Sequence, residues 1–185
     1  MNNLKYLIPA VLLLMVSCNI SSTSEEQPES VSKQTHIELN HHIQSDDGLF
    51  EISFPSEPQI FSEIVESDLG NLETHFYYCE FSESMSFILS YTDYPQEYIN
   101  KYDANELLFT SMNGVADNTG ADIIEHQTLM LNDCHAIDYE TTSTMIRSWH
   151  RSVLVNNRLY QIGVHNTAVD IQQNIVVDYF NSFRF

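Results

Sequence analysis

Positive charge is scarce in this 185-residue chain: seven lysines and arginines stand against 26 aspartates and glutamates, for a formal net charge of −19. No cation appears between Lys33 and Lys101. Such a surface repels phosphate backbones and anionic head groups, which argues against nucleic acid as a partner and favours contact with basic partners, metal ions or salty surroundings, although the same charge also serves solubility. Glycine is also sparse, with five residues, so ligand-cradling loops are few. The chain has no Gly-x-Ser-x-Gly elbow, phosphate loop, dinucleotide glycine pattern or His-Glu-x-x-His, which removes the familiar signatures of several enzyme classes. Long apolar runs are absent as well. The longest, Tyr6 to Val16, falls short of the roughly 20 residues that a membrane-spanning helix needs.

What that short run does have is an address. Lys5 precedes it, and Leu12-Leu13-Leu14-Met15-Val16-Ser17-Cys18 closes it. This order resembles a bacterial lipoprotein signal peptide, with residues 1–17 removed and Cys18 lipidated. The resemblance implies attachment to the membrane through several acyl chains, which hold a protein without any hydrophobic patch on its folded part. Residues 18–34 hold almost no apolar side chains and read as a disordered tether. Ser24-Glu25-Glu26 within it resembles the export signal that carries certain lipoproteins to the outer face of the outer membrane, so the expected location is the cell envelope.

Residues 35–185 fit one domain. Phe50, Ile52 and Phe54 alternate with Glu51 and Ser53, the period of a half-buried strand, and Pro55 stops it. Ile60 to Ser67, Leu72 to Phe81 and Met85 to Thr92 continue as extended segments. Pro95 opens a helical stretch, and Asp103 with Glu106 forms a capping pair ahead of Leu107, Leu108, Met112 and Val115 on one helical face. Asn118-Thr119-Gly120 ends that helix. Ile123 to Leu131, Cys134 to Thr141, Met145 to Val155 and Arg158 to Val164 form a second run of strands, with Asn156-Asn157 suited to a two-residue hairpin turn. Thr167 is the expected cap of a closing helix whose stripe runs from Ile171 to Phe183. The fold class is α+β: an antiparallel sheet of about six to eight strands in two meanders, covered by a mid-chain and a C-terminal helix.

Phe50-Glu51-Ile52-Ser53-Phe54-Pro55-Ser56-Glu57-Pro58, Ser90 to Pro95, Val155 to Tyr160 and Tyr179 to Phe183 resemble signposts of small exported domains with the PsbP-like fold. The resemblance implies an α/β/α sandwich in a family known mostly for accessory and protein-binding roles. It transfers no functional residue.

Side-chain chemistry is therefore sought in constellations. If a hairpin through Thr142 to Thr144 pairs Glu140 with Arg147, then Asp138 lies opposite Trp149 and Ala136 opposite Arg151. Asp138, Glu140, Arg147, Trp149 and Arg151 then share one face, continued by Tyr160 and Ile162. Two guanidinium groups beside an indole suit an anionic ligand; the same residues also suit a cross-strand salt-bridge ladder beneath a helix. Cys79 and Cys134 either form a disulfide or remain separate thiols, since spacing alone does not bring them together. His41-His42 and Asp46-Asp47 sit on what reads as a flexible arm, and no histidine spacing matches a tetrahedral metal site. His75 and Cys79 lie on one strand face too far apart to form a nucleophile pair, and His126, His135 and His150 read as structural or surface residues. No metal or cofactor is expected. The sequence predicts a membrane-anchored, non-enzymatic accessory or protein-binding domain with an envelope protein partner; the alternative is a small anionic-ligand-binding or hydrolytic domain using the Asp/Arg/Trp face.

Overall fold

The computed structural model describes residues 37–167 and 173–185. The expected signal, Cys18 and the tether lie outside these residues, as does most of the predicted start of the closing helix.

Seven strands form one antiparallel sheet in the order β3-β4-β5-β9-β8-β7-β6. The first meander is β3 (Gln59–Ser67), β4 (Gly70–Ser82) and β5 (Met85–Asp93). The second is β6 (Asp122–Leu131), β7 (Cys134–Thr142), β8 (Arg147–Val155) and β9 (Arg158–Asn166). They join where β5 pairs with β9, from Met85 opposite Asn166 to Asp93 opposite Arg158. Between the meanders run the short helix α1 (Gln96–Ile99) and the long helix α2 (Ala104–Thr119). The expected capping box holds α2 in place: the Asp103 carboxylate accepts from Asn105 N at 2.8 Å, and Glu106 reaches back to Asp103 N. Gly120, at φ 61°, ends the helix in the left-handed conformation that glycine adopts most easily.

Because side chains alternate across a strand, the sheet has two unlike faces. One packs Ile137, Tyr139, Leu154 and Leu159 against Leu107, Leu108, Met112 and Val115 of α2. The other packs Phe87, Leu89, Tyr160, Ile162 and Val164 against α3 (Gln173–Ser182) and a separate hairpin of β1 (His41–Ser45) and β2 (Phe50–Phe54). The result is helix, sheet, then helix with hairpin. Phe183 belongs to this second core, and Arg184 closes a backbone bridge to Glu51 with N–O distances of 2.8 and 2.9 Å.

His41 and His42 are not on a flexible arm but in β1, paired with Phe54 and Ser53 of β2. The alternation that would have shown a strand is masked, because the inward positions of β1 are only half-buried.

Candidate functional site

Strands β7 and β8 carry the predicted constellation, in a register two residues from the expected one. Asp138 faces Arg151, Glu140 faces Trp149, and Arg147 faces Thr142. The cause is the turn: Thr142 stays in the strand, and Ser143 to Ile146 form the connection, closed by Ser143 N donating to Ile146 O at 2.8 Å. Met145, expected within the strand, sits in this turn and is exposed. A shift of two preserves the face of every side chain, so the five residues still lie together.

Their contacts close on one another. Arg151 donates from Nε to Asp138 Oδ1 and from Nη2 to Asp138 Oδ2, both at 2.7 Å, and from Nη1 to the Phe180 carbonyl at 3.3 Å. Its guanidinium lies 5.0 Å from the centre of the Phe180 ring. Arg147 donates from Nε to Glu140 Oε1 and lies 5.1 Å from the centre of Trp149. That bond to Glu140 strengthens the hold of Arg147 on its proton. Helix α3 covers part of this face, and beside Trp149 an open cavity of about 330 Å³ remains, bounded by Glu125, Asp138 and Glu140 on the sheet and Val176, Val177 and Phe180 on the helix. The arrangement is a cross-strand ion-pair ladder beneath a helix, next to a groove lined by carboxylates and apolar groups.

Cys79 and Cys134 are free. Cys79 lies on β4 and Cys134 on β7, with β5, β9 and β8 between them. Four inter-strand steps of about 4.8 Å far exceed the roughly 7 Å limit between bridged Cα atoms. Cys79 is buried, 3.1 Å from the Ser56 hydroxyl. Burial, and next to it Asp133, push the Cys134 thiol up from its ordinary value. His42 meets Ser53 and Glu51, and His75 stacks on Tyr91 with ring centres 4.6 Å apart. Among the described residues, no group of three or more His, Cys, Asp and Glu side chains is arranged to hold a metal ion.

Sequence reading missed two clusters. The first is Arg158, which donates to both oxygens of Asp93 at 2.6 and 2.7 Å and to the Asp47 carbonyl at 2.8 Å, with its guanidinium 4.5 Å from the centre of Tyr91. Nothing local to either residue signals this pairing, since it depends on β5 meeting β9. The second lies under α2, where His150 and His165 meet with ring centres 5.5 Å apart and His150 stacks on Tyr139 at 4.6 Å. Thr141 Oγ1 lies 3.1 Å from His150 Nε2, and Ser148 Oγ lies 2.9 Å from His165 Nδ1. Desolvation pulls His150 well below the usual histidine range, with His165 adding to the effect, and pulls His165 down to about 4. The alternation of Ser148, His150, Ser152 and Leu154 was the available sign that His150 points into the helix-covered face.

No family model and no curated sequence matches the chain. Among solved structures, the chain is similar to the cyanobacterial PsbP protein CyanoP of Synechocystis sp. PCC 6803, determined in solution, with a TM-score of 0.58 and 10% sequence identity over 85% of this chain and 99% of that one. At that identity the likeness defines the fold, which is PsbP-like, and no functional residue passes with it.

Proposed function

We propose that this chain is an exported, lipid-anchored accessory domain that works by binding another protein of the cell envelope. The observation that supports this reading is the commitment of the arginine face to its own carboxylates. An anion receptor or a hydrolase using that face needs guanidinium donors turned toward an open site. Instead, Arg151 spends Nε, Nη1 and Nη2 on Asp138 and Phe180, and Arg147 is bonded to Glu140. The PsbP-like fold, known mostly for accessory and protein-binding roles, points the same way. Anchoring rests on the segment ending at Cys18, and the excess of negative charge favours a basic partner whose attachment weakens as salt rises.

The groove beside Trp149 favours a second reading, a small-ligand domain. A cross-linked pull-down of the tagged full-length protein from native membranes, compared with Cys18→Ala, separates the two. A stoichiometric partner lost in the variant is expected. Recovery of the protein alone would overturn the accessory reading and turn attention to the groove.

A further inference from the structure

The sheet has two edge strands, and they are protected differently. β6 carries an irregularity between Ile123 and Glu125, where its register to β7 shifts. Such a bulge blunts an edge against further pairing. β3 has no such device. It pairs with β4 in unbroken register from Gln59 opposite Tyr78 to Ser67 opposite Gly70, and its other side has no strand partner among the described residues. It contains no proline and no lysine. Ile60 and Ile64 stand on one face of it, 62% and 69% exposed. Its ionisable side chains are Glu63 and Glu66, with Asp68 in the adjoining turn and Glu73 on the paired strand.

An edge guarded by charge of one sign is selective. A second copy of this chain pairing antiparallel through β3 would bring the glutamates at 63 and 66 of the two copies close together along the ladder, and like charges there are destabilising. A strand that alternates cationic and apolar residues would lay its apolar side chains over Ile60 and Ile64 and set its cationic ones on the opposite face beside Glu63, with Glu66 at the end of the isoleucine face. No lysine or arginine between Lys33 and Lys101 competes with it. We infer that the free edge of β3 is a docking site for an extended basic segment of a partner protein, which adds to the sheet as an antiparallel or parallel strand with alternating cationic and apolar residues. This rests on the accessory reading and specifies where and how the partner binds.

The test uses the whole chain purified in detergent, with an acetylated nonapeptide of alternating Lys and Val as the probe and its Glu/Val counterpart as the control. Amide hydrogen exchange is followed residue by residue. The Lys/Val peptide should slow exchange at alternate amides of β3 by on the order of tenfold, as newly paired amides lose access to solvent. Ile60→Lys with Ile64→Lys should abolish the effect, and Glu63→Lys with Glu66→Lys should transfer it to the Glu/Val peptide. Protection spread over the acidic surface, protection centred on β6, or β3 amides already slow in the free chain and indifferent to the peptide would each overturn the proposal. A membrane partner whose cross-links avoid β3 would also overturn it while leaving the accessory reading intact; the absence of any partner would strike at the accessory reading, with the peptide result still deciding the edge.

Discussion

Arg151 and Asp138 sit directly opposite each other on β8 and β7, joined by two parallel hydrogen bonds of 2.7 Å. Side-chain exposure is 11% for the arginine and 34% for the aspartate. The pair is therefore neither a solvated surface contact nor a sealed ion pair, and its main effect is to fix the register of the hairpin beneath α3.

Removing the arginine should cost more than the pair is worth. Arg151→Ala strips the partner from Asp138 and the donor from the Phe180 carbonyl, for an expected loss of roughly 2 kcal/mol, below the range for a fully buried pair because Asp138 is partly solvated. Urea denaturation measures it. Arg151→Met combined with Asp138→Leu should recover most of the loss, whereas equal destabilisation in the single and double variants would show that charge pairing is not what matters there.

Acid should loosen the α2 face. His150 and His165 are neutral in the fold, while their unfolded counterparts take up protons below about pH 6.5. The unfolded state thus binds more protons in this window, so stability is full above it and declines as pH falls toward 4, the depressed value of His165. The slope is at most about 1.4 kcal/mol per pH unit for each histidine, and less for half-buried His165. Thermal unfolding between pH 7 and 4.5 should show it, with a flatter profile in His150→Gln. Gly163→Ala tests the same packing from below: a Cβ there would stand 3.1 Å from Ile88 Cγ2 and within 3.5 Å of both rings, for a cost of about 1 to 2 kcal/mol. An unchanged melting temperature in that variant would mean the rings have more room than the distances indicate.

Thiol reactivity should follow burial. Native Cys134 is expected to alkylate slowly, held back by its raised pKa, and Cys79 only on unfolding. A reductant should leave the stability of the folded domain unchanged. Intact mass after alkylation under native and denaturing conditions reads both, and a denatured, unreduced sample in which Cys79 and Cys134 take up no alkyl group, two hydrogen atoms lighter than the unmodified dithiol, would contradict the free-thiol state.

Leu49 carries local strain, with φ at 53° and its side chain 68% exposed. It ends the β1–β2 turn between two open grooves of about 530 and 320 Å³. Replacing it with glycine relieves the left-handed penalty while adding chain entropy, so Leu49→Gly should gain between zero and about 1 kcal/mol. A clear loss in chemical denaturation would show that the leucine packs usefully despite its exposure.

What could be read from the sequence was what is decided locally. Phe50 to Phe54, the capping pair at Asp103 and Glu106, Gly120 and the turn at Asn156 all appear where expected, because alternation, caps and positive φ act over a few residues. The shared face of Asp138, Glu140, Arg147, Trp149 and Arg151 was legible for the same reason, through the two-residue period. Their partners were not, since one longer turn moved every cross-strand pair by two positions. Contacts that join distant segments left no trace: Arg158 with Asp93, and His150 with His165, exist only once β9 has met β5 and β8.

The bridge between Glu51 and Arg184 gives the domain a late-closing seam. The β1–β2 hairpin is made early in the chain, yet the helix and tail that seal the core beneath it are made late, and so is the β9 strand that unites the two meanders. A chain threading outward from its N-terminus therefore emerges with its central apolar surfaces still unmatched, and contacts so distant in sequence form slowly. For the exported protein proposed above, such a delay would be an asset, since the architecture itself postpones compaction until nearly the whole chain has emerged.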